Sequence, residues 1–427
     1  MLSYSQMTRE QLQAELKVQE DRYQAFADLK LNLNMTRGKP CSEQLDLSNE
    51  MLTVLSDKEF KAADGTDCRN YGGLEGLPEA RQLFAGLLGV PATQVLVLGN
   101  SSLNLMYDTM VRAMLHTLPG GEKPWSQLEQ VKFLCPVPGY DRHFAVTQSL
   151  GIEMIPVPMD SDGPDMDIVE NLVANDASIK GMWSVPVYSN PDGFTYSAAT
   201  CRRLATMKTA AADFRIWWDN AYVVHHLYAE DRDSVPDILA LCADAGHPNR
   251  VFEFASTSKI TYAGAGLACL ATSPDNLAWY KKQLTIQTIG PDKVNQLRHI
   301  KFIEKAGGIE AIMRKHAYIL QPKFDLVLER LDAELASTGL CTWKKPKGGY
   351  FVSINVPHGT AKEVVRLAKE CGVELTPAGA TYPYGKDPQD SNIRLAPSFP
   401  PLYELRPAME IFCTCVKLAA IRQLLGA

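Results

Sequence analysis

Phe214-Arg-Ile-Trp-Trp-Asp219-Asn-Ala-Tyr222 is an apolar run that closes on a carboxylate, and Val251-Phe-Glu-Phe-Ala-Ser256-Thr-Ser258-Lys259 repeats the pattern with a lysine at its end. Each is short, rich in aromatic and branched residues, and bounded by polar groups, which predicts a buried β-strand. Working outward, similar runs cover Val95 to Leu98, Val131 to Cys135, Ile152 to Val157 and Met182 to Val185, with longer helical stretches between them. That alternation predicts an α/β fold with a mainly parallel sheet covered by helices. In open sheets of this kind ligands bind beyond the carboxyl ends of the strands, so Asp219, Tyr222 and Lys259 all fall where a ligand would sit.

Past about residue 300 the pattern changes. A helical stretch from Ile300 to Leu331 leads into strand-like Gly349 to Ile354, a helix from Ala361 to Cys371 and strand-like Ile393 to Ala396, which reads as a smaller α+β unit. At the other end, Thr8 and Gln11 have capping-box spacing ahead of Leu12, Leu16, Tyr23 and Phe26, which predicts an N-terminal amphipathic helix.

The 427 residues are 46% hydrophobic and 22% charged, ordinary globular usage in a chain long enough for two or three domains. A net charge of -6 offers no basic face to nucleic acid and leaves small molecules as the expected partners. The N-terminus lacks the apolar centre of a signal peptide, and no apolar run approaches the ~18 residues of a spanning helix. A cytoplasmic chain without membrane association is expected. Ten cysteines without CxxC spacing read as free thiols, and eight histidines without zinc-type spacing give no reason to expect a metal.

Lys259 can act as a nucleophile if desolvation keeps part of it neutral, and an imine with an aldehyde is then accessible; its ordinary alternative is a solvated surface charge. Taken alone, Asp219 and Tyr222 read more readily as a helix cap and a core tyrosine, since Asp is a favoured cap. Upstream, Gly99-Asn-Ser101-Ser102 joins the Val95 run to a helical stretch from Leu103 to Leu118. Hydroxyls and free N–H groups at a helix start suit a phosphate, or simply cap the helix. Ser189-Asn190-Pro191-Asp192-Gly193 is a turn by composition, and the Asn190 amide can also donate to a ligand oxygen.

In combination and in this order, Asn190-Pro191, Asp219-x-x-Tyr222 and Ser256-x-Ser258-Lys259 resemble the fold-type I pyridoxal-phosphate aminotransferases of the aspartate aminotransferase superfamily, over about Met35 to Phe399. The resemblance implies pyridoxal 5'-phosphate as cofactor, with Lys259 forming the aldimine and then moving the substrate proton. It pairs Asp219 with the pyridine N–H and brings Tyr222 and Asn190 to the ring hydroxyl oxygen. Pro138-Gly139-Tyr140 resembles the segment whose aromatic ring stacks on the cofactor. Asn70-Tyr71-Gly72-Gly73 resembles the glycine-rich segment whose tyrosine reaches the phosphate of the neighbouring subunit, which implies a homodimer with shared sites. Ser391-Asn-Ile-Arg394 resembles the strand whose arginine grips the substrate α-carboxylate, and Thr36-Arg37-Gly38 the mobile segment whose glycine backbone lies against the substrate.

One departure stands out. An arginine that grips the phosphate in many relatives falls where this chain has Leu267, so Ser101, Ser102, Ser256 and Ser258, with Tyr71 across the dimer, are the expected phosphate partners. This marks a divergent branch, most similar to bacterial aspartate aminotransferases akin to the enzyme-like half of certain transcription regulators; no fused DNA-binding domain is expected ahead of Met35. By the same resemblance, residues 1–48 form an N-terminal arm and part of a small domain, 49–300 a large cofactor-binding domain, and 301–427 the rest of the small domain. The expected reaction is transamination between an amino acid and a 2-oxo acid, aspartate with 2-oxoglutarate. The other readings are a lyase or decarboxylase reaction on an amino acid and a non-catalytic ligand-binding role. A second substrate carboxylate calls for a further cation, and Arg37, Arg69, Arg298 and Lys293 are the candidates.

Overall fold

The computed structural model describes residues 3–426. Its strands are β1 (Leu33–Asn34), β2 (Val95–Val97), β3 (Lys132–Val137), β4 (Glu153–Asp160), β5 (Gly163–Pro164), β6 (Ile179–Ser184), β7 (Arg215–Asp219), β8 (Val251–Ser256), β9 (Ala268–Thr272), β10 (Thr342–Trp343), β11 (Val352–Asn355), β12 (Val373–Glu374) and β13 (Asn392–Leu395). β2 to β9 form an eight-stranded sheet in the order β2-β9-β8-β7-β6-β3-β4-β5. From β8 through β7, β6 and β3 to β4 all neighbours are parallel, while β9 runs antiparallel to β2 and β8 and β5 antiparallel to β4. The α/β class read from the sequence is the fold observed, and the six apolar runs are β2, β3, β4, β6, β7 and β8.

The period-2 geometry of a strand explains why the runs are apolar throughout. Trp217 faces one layer of helices and Trp218 the other, and both sides are dry. On one face Trp217 packs edge-on to Phe133 at 5.2 Å and to Phe252 at 5.4 Å between ring centroids. A sheet covered on both sides has no polar face to alternate with, so its strands read as continuous hydrophobic segments.

The helical stretch expected from Ile300 to Leu331 is two helices, Lys293–Lys305 and Ile309–Leu335. Gly307 and Gly308 break it with φ of 87° and 92°, a left-handed geometry that side chains with a Cβ resist. The N-terminal helix Arg9–Asp28 begins as its sequence predicts: the Thr8 side chain accepts from the Gln11 backbone N–H, and the Gln11 side chain returns the bond to the Thr8 backbone.

A second core joins the two chain ends. β1 pairs in parallel with β12, and Leu33 and Met35 pack in one cluster with Leu331, Val352, Leu395 and Phe412. β10, β11 and β13 form a three-stranded sheet over this core. The junction depends on Gly372: at φ 82°, a Cβ there would lie 1.9 Å from the Leu31 carbonyl oxygen. Among the described residues no helix is long and apolar enough to cross a membrane.

One carboxyl inside the sheet is out of place for a hydrophobic layer. Glu253, on β8, is 3% exposed and accepts a 2.9 Å bond from the Asn220 side-chain amide. Burial raises its pKa from 4.5 to about 8. Below the lower value it is protonated in both the folded and the unfolded chain. As pH rises toward the upper value only the unfolded chain gives up the proton, so folding loses up to ~1.4 kcal/mol per pH unit. Glu253→Gln is expected to flatten the fall in thermal stability between pH 4.5 and 8, read as melting temperature across a pH series. An unchanged slope in the variant would remove Glu253 as its source.

Candidate active site

A cavity of about 930 Å³ opens at the carboxyl ends of β3, β6, β7 and β8, where the covering helices begin and the second core closes over the sheet. It is lined by Ser101, Ser102, Tyr140, Asn190, Asp219, Tyr222, Ser256, Ser258, Lys259, Gly38 and Arg394, which are contributed by segments far apart in the chain. The strands act as rulers: Asp219 is the last residue of β7 and Lys259 stands three residues beyond β8, so neighbouring parallel strands deliver a carboxylate and an amine to one end of the sheet.

Asp219 is 3% exposed. Its Oδ2 accepts a 3.0 Å bond from His143 Nε2, and its Oδ1 is buried with no hydrogen-bond partner among the described residues. The imidazole is itself fixed, stacked on Trp183 at 4.1 Å with the planes 7° apart. A buried carboxylate oxygen left unpaired is costly unless a donor arrives, so the site is built for a donor at Oδ1. His143 escaped the sequence reading. Its signal was its place, three residues after Tyr140 at the start of helix Asp141–Ser149, which turns it inward beside Tyr140 at 4.9 Å.

Lys259 Nζ lies 5.0 Å from the Tyr222 ring centroid and 5.8 Å from that of Tyr350. Burial lowers its pKa, partly opposed by the charge of Asp219. Its backbone is held from below: His316 Nε2 donates to the Ile260 carbonyl at 2.9 Å, and Gln44 ties His316 to the Tyr350 hydroxyl through two 2.9 Å contacts. Burial pushes the Tyr222 phenol well above its usual pKa and the Tyr140 phenol to about 12, so both are proton donors at neutral pH.

Four serines collect on one side. Ser101 stands at the N-cap position of helix Ser102–Leu115 without its side chain making a capping bond, and Ser256 Oγ donates to Ser258 Oγ at 3.1 Å. The helix start adds free backbone N–H groups to this hydroxyl cluster. Leu267 is no part of it: its side chain is 1% exposed in the hydrophobic layer beneath the sheet, and its N–H donates to Thr257 Oγ1 at 2.9 Å.

On the opposite wall Arg394 is held flat. Its guanidinium sits 4.8 Å from the Phe351 ring centroid, one NH1 donates to Asp141 Oδ1 at 2.9 Å and to Asn190 Oδ1 at 3.2 Å, and Nε has no partner. Gly38 passes over Phe351 so closely that a Cβ would lie 2.4 Å from the ring. Of the four cations considered for a second carboxylate, Arg37 lines the cavity; Arg142, unnoticed in the sequence, lines it as well. Arg69 instead pairs with Asp67 at 2.7 Å, Arg298 bonds Asn295, and Lys293 Nζ donates to the Asn70 and Gly72 carbonyls at 2.8 and 2.6 Å. Tyr71 does not reach this cavity. It is 80% exposed on the turn that Lys293 pins.

A family profile described as aspartate amino-transferase matches residues 7–427. The aspartate aminotransferase of Corynebacterium glutamicum is 53% identical over 404 residues, covering 94% of this chain and 93% of that protein. The crystal structure of an aspartate transaminase from Corynebacterium glutamicum superposes with a TM-score of 0.96 at 50% identity, covering 99% of both chains. The α-aminoadipate aminotransferase of Thermus thermophilus, solved with N-(5'-phosphopyridoxyl)-L-leucine, shares the fold with a TM-score of 0.73 at 21% identity, covering 93% of this chain and 94% of that one.

Proposed function

This chain belongs to the aspartate amino-transferase family, whose members are pyridoxal-phosphate enzymes, and from that membership we propose that it binds pyridoxal 5'-phosphate through Lys259 and transaminates aspartate with 2-oxoglutarate. The observation that carries the reading is the pairing, in one cavity, of a lysine whose pKa burial lowers with a buried carboxylate oxygen that lacks a donor.

The cavity residues fit the cofactor group by group. Asp219 Oδ1 would accept the pyridinium N–H, while His143 holds Oδ2 and fixes the plane of the carboxylate. Tyr222 and Asn190 donate to the ring hydroxyl oxygen, and Tyr140 covers the ring face. Ser101, Ser102, Ser256 and Ser258 hold the phosphate together with the start of helix Ser102–Leu115, in place of the arginine that Leu267 displaces. When bound, the cofactor supplies an aldehyde carbon for the amino group and a protonated ring that withdraws electrons from the substrate α-carbon.

Lys259 would hold the cofactor through its Nζ, and the same amine, partly neutral because burial lowers its pKa, would serve as the base at the substrate α-carbon. Arg394 grips the α-carboxylate, its plane set by Phe351 and Asn190, and Gly38 lies against the substrate. Arg37 and Arg142 face the second carboxylate that distinguishes aspartate from neutral amino acids.

By the same reading the active form is a homodimer in which Tyr71 reaches the phosphate site of a second subunit. The exposed apolar side chains of Tyr71 (80%), Tyr107 (45%), Ile286 (85%) and Ile289 (64%) support that association. All ten cysteines are free thiols, which supports a cytoplasmic setting.

Aspartate alone, added to the cofactor-loaded protein, is expected to convert the visible absorbance of the lysine-bound aldehyde form to that of the amine form, and 2-oxoglutarate to restore it. No spectral change with aspartate, or release of carbon dioxide or ammonia in its place, would overturn this assignment.

A further inference from the structure

A second cleft, of about 990 Å³, shares no lining residue with the catalytic cavity. It lies beside β4, next to the β5 edge of the large sheet, and is closed from the other side by the three-stranded sheet. Its walls are unusually rigid and apolar. Pro156 and Pro158 of β4 form one wall, and Trp343 of β10 and Tyr382 help form the rest. Proline and aromatic side chains give up little conformational freedom on contact with a ligand, so a flat apolar body is bound there at low entropic cost.

Opposite charges line the same cleft. Asp192 forms no salt bridge among the described residues, although burial lifts its carboxyl to about 6 and only Ser353 and the more distant Lys344 favour its ionised form. At neutral pH it is therefore mostly a carboxylate, half-buried and without a contact cation. Such a group gains from an ammonium brought to it. Lys344 Nζ is poised 3.4 Å from the centroid of the Phe194 ring, which orients the cation without neutralising it. Asp192 and Lys344 form no salt bridge among the described residues, yet each feels the other's charge, so a carboxylate and an ammonium stand near one another on the walls of one cleft, complementary to a zwitterion with a ring.

We propose that this cleft is a second binding site, for an aromatic α-amino acid whose ring lies between the proline and aromatic walls, its ammonium on Asp192 and its carboxylate on Lys344. The site stands independently of the catalytic assignment. It is nonetheless close to the catalytic wall, because Ser353, which lines the cleft, is the register partner of Arg394 across β11 and β13.

The test is calorimetric titration of L-phenylalanine into cofactor-loaded protein held in a saturating dicarboxylate that carries no amino group, so that the catalytic cavity is filled. One binding event is expected, weakened about tenfold or more in Asp192→Asn and in Lys344→Met, since each removes one charge-assisted contact. Phenethylamine, which lacks the carboxylate, is expected to lose its sensitivity to Lys344→Met while keeping its sensitivity to Asp192→Asn. Unfolding midpoints close to wild type establish that both variants fold, and turnover of aspartate by Lys344→Met is expected to stay within about twofold of wild type. Absence of binding at millimolar L-phenylalanine, or binding that neither substitution changes, would overturn the proposal. Binding abolished by the dicarboxylate would assign it to the catalytic cavity and overturn it equally.

Discussion

Lys259→Ala is expected to lower the turnover of aspartate by at least about four orders of magnitude, because one substitution removes both the covalent anchor and the base that moves the substrate proton. The loss is chemical rather than structural. The Lys259 side chain opens into the cavity and makes no ion pair among the described residues, and the backbone beneath it is held by His316 and Gln44, which the substitution leaves in place. The variant should therefore keep the unfolding midpoint of the wild type within a few degrees, yet lack the visible band of a lysine-bound aldehyde after incubation with the cofactor. Lys259→Arg separates charge from nucleophilicity: it keeps the cation but cannot supply a neutral amine, and is expected to be as inactive as the alanine variant. Retention of more than about a hundredth of wild-type turnover in either variant would remove Lys259 from the proposed chemistry.

Asp219→Ala ranks second in expected effect, with kcat/KM for aspartate falling by about a thousandfold, the scale associated with removing a preorganised electrostatic partner from a buried site. The carboxylate has two oxygens with two different duties. Oδ2 is taken by His143, whose ring is clamped on Trp183, so Oδ1 has little freedom to turn away from the donor it is meant to meet. His143→Gln should cost less, about tenfold, because it loosens the carboxylate without removing it. The two variants are distinguishable without turnover: Asp219→Ala is expected to shift the visible spectrum of the bound cofactor toward that of an unprotonated ring at neutral pH, whereas His143→Gln moves the pH at which that shift occurs. If Asp219→Ala holds the cofactor with an unchanged spectrum across pH, the ring nitrogen finds its partner elsewhere.

Much of the large sheet was legible because its strands are buried on both faces and so stand out as unbroken apolar runs. β9 was not. Ala268-Cys-Leu-Ala-Thr has few branched or aromatic residues, and it follows a glycine-rich stretch that reads as a loop. Its antiparallel direction is set by the β8 and β2 ladders on either side, a tertiary choice that no local preference encodes. The break at Gly307 and Gly308 was present in the sequence as a glycine pair, but the helical periodicity on both sides masked it. The candidate site was legible where a residue closes a strand, as Asp219 does, or stands in the turn that opens a helix, as Ser101 does, and illegible further into a helix's first turn. His143 and Arg142 sit in the first turn of helix Asp141–Ser149, beside a tyrosine that drew attention for another reason. Lys293 and Arg69 show the converse: a cation near a motif is often occupied in holding backbone or a neighbouring acid in place.

The contact between Arg394 and Asp141 has a consequence for how affinities at this site are to be understood. One NH1 of the guanidinium serves the Asp141 carboxylate at 2.9 Å, while Nε is free of a partner among the described residues. The carboxylate proposed to dock there shares its cation with a neighbouring acid, so its dissociation constant includes the repulsion between two anions as well as the strength of its own ion pair. Stray small anions meet the same repulsion with nothing to offset it, whereas an amino acid that also reaches Arg37 or Arg142 has a further contact to set against it.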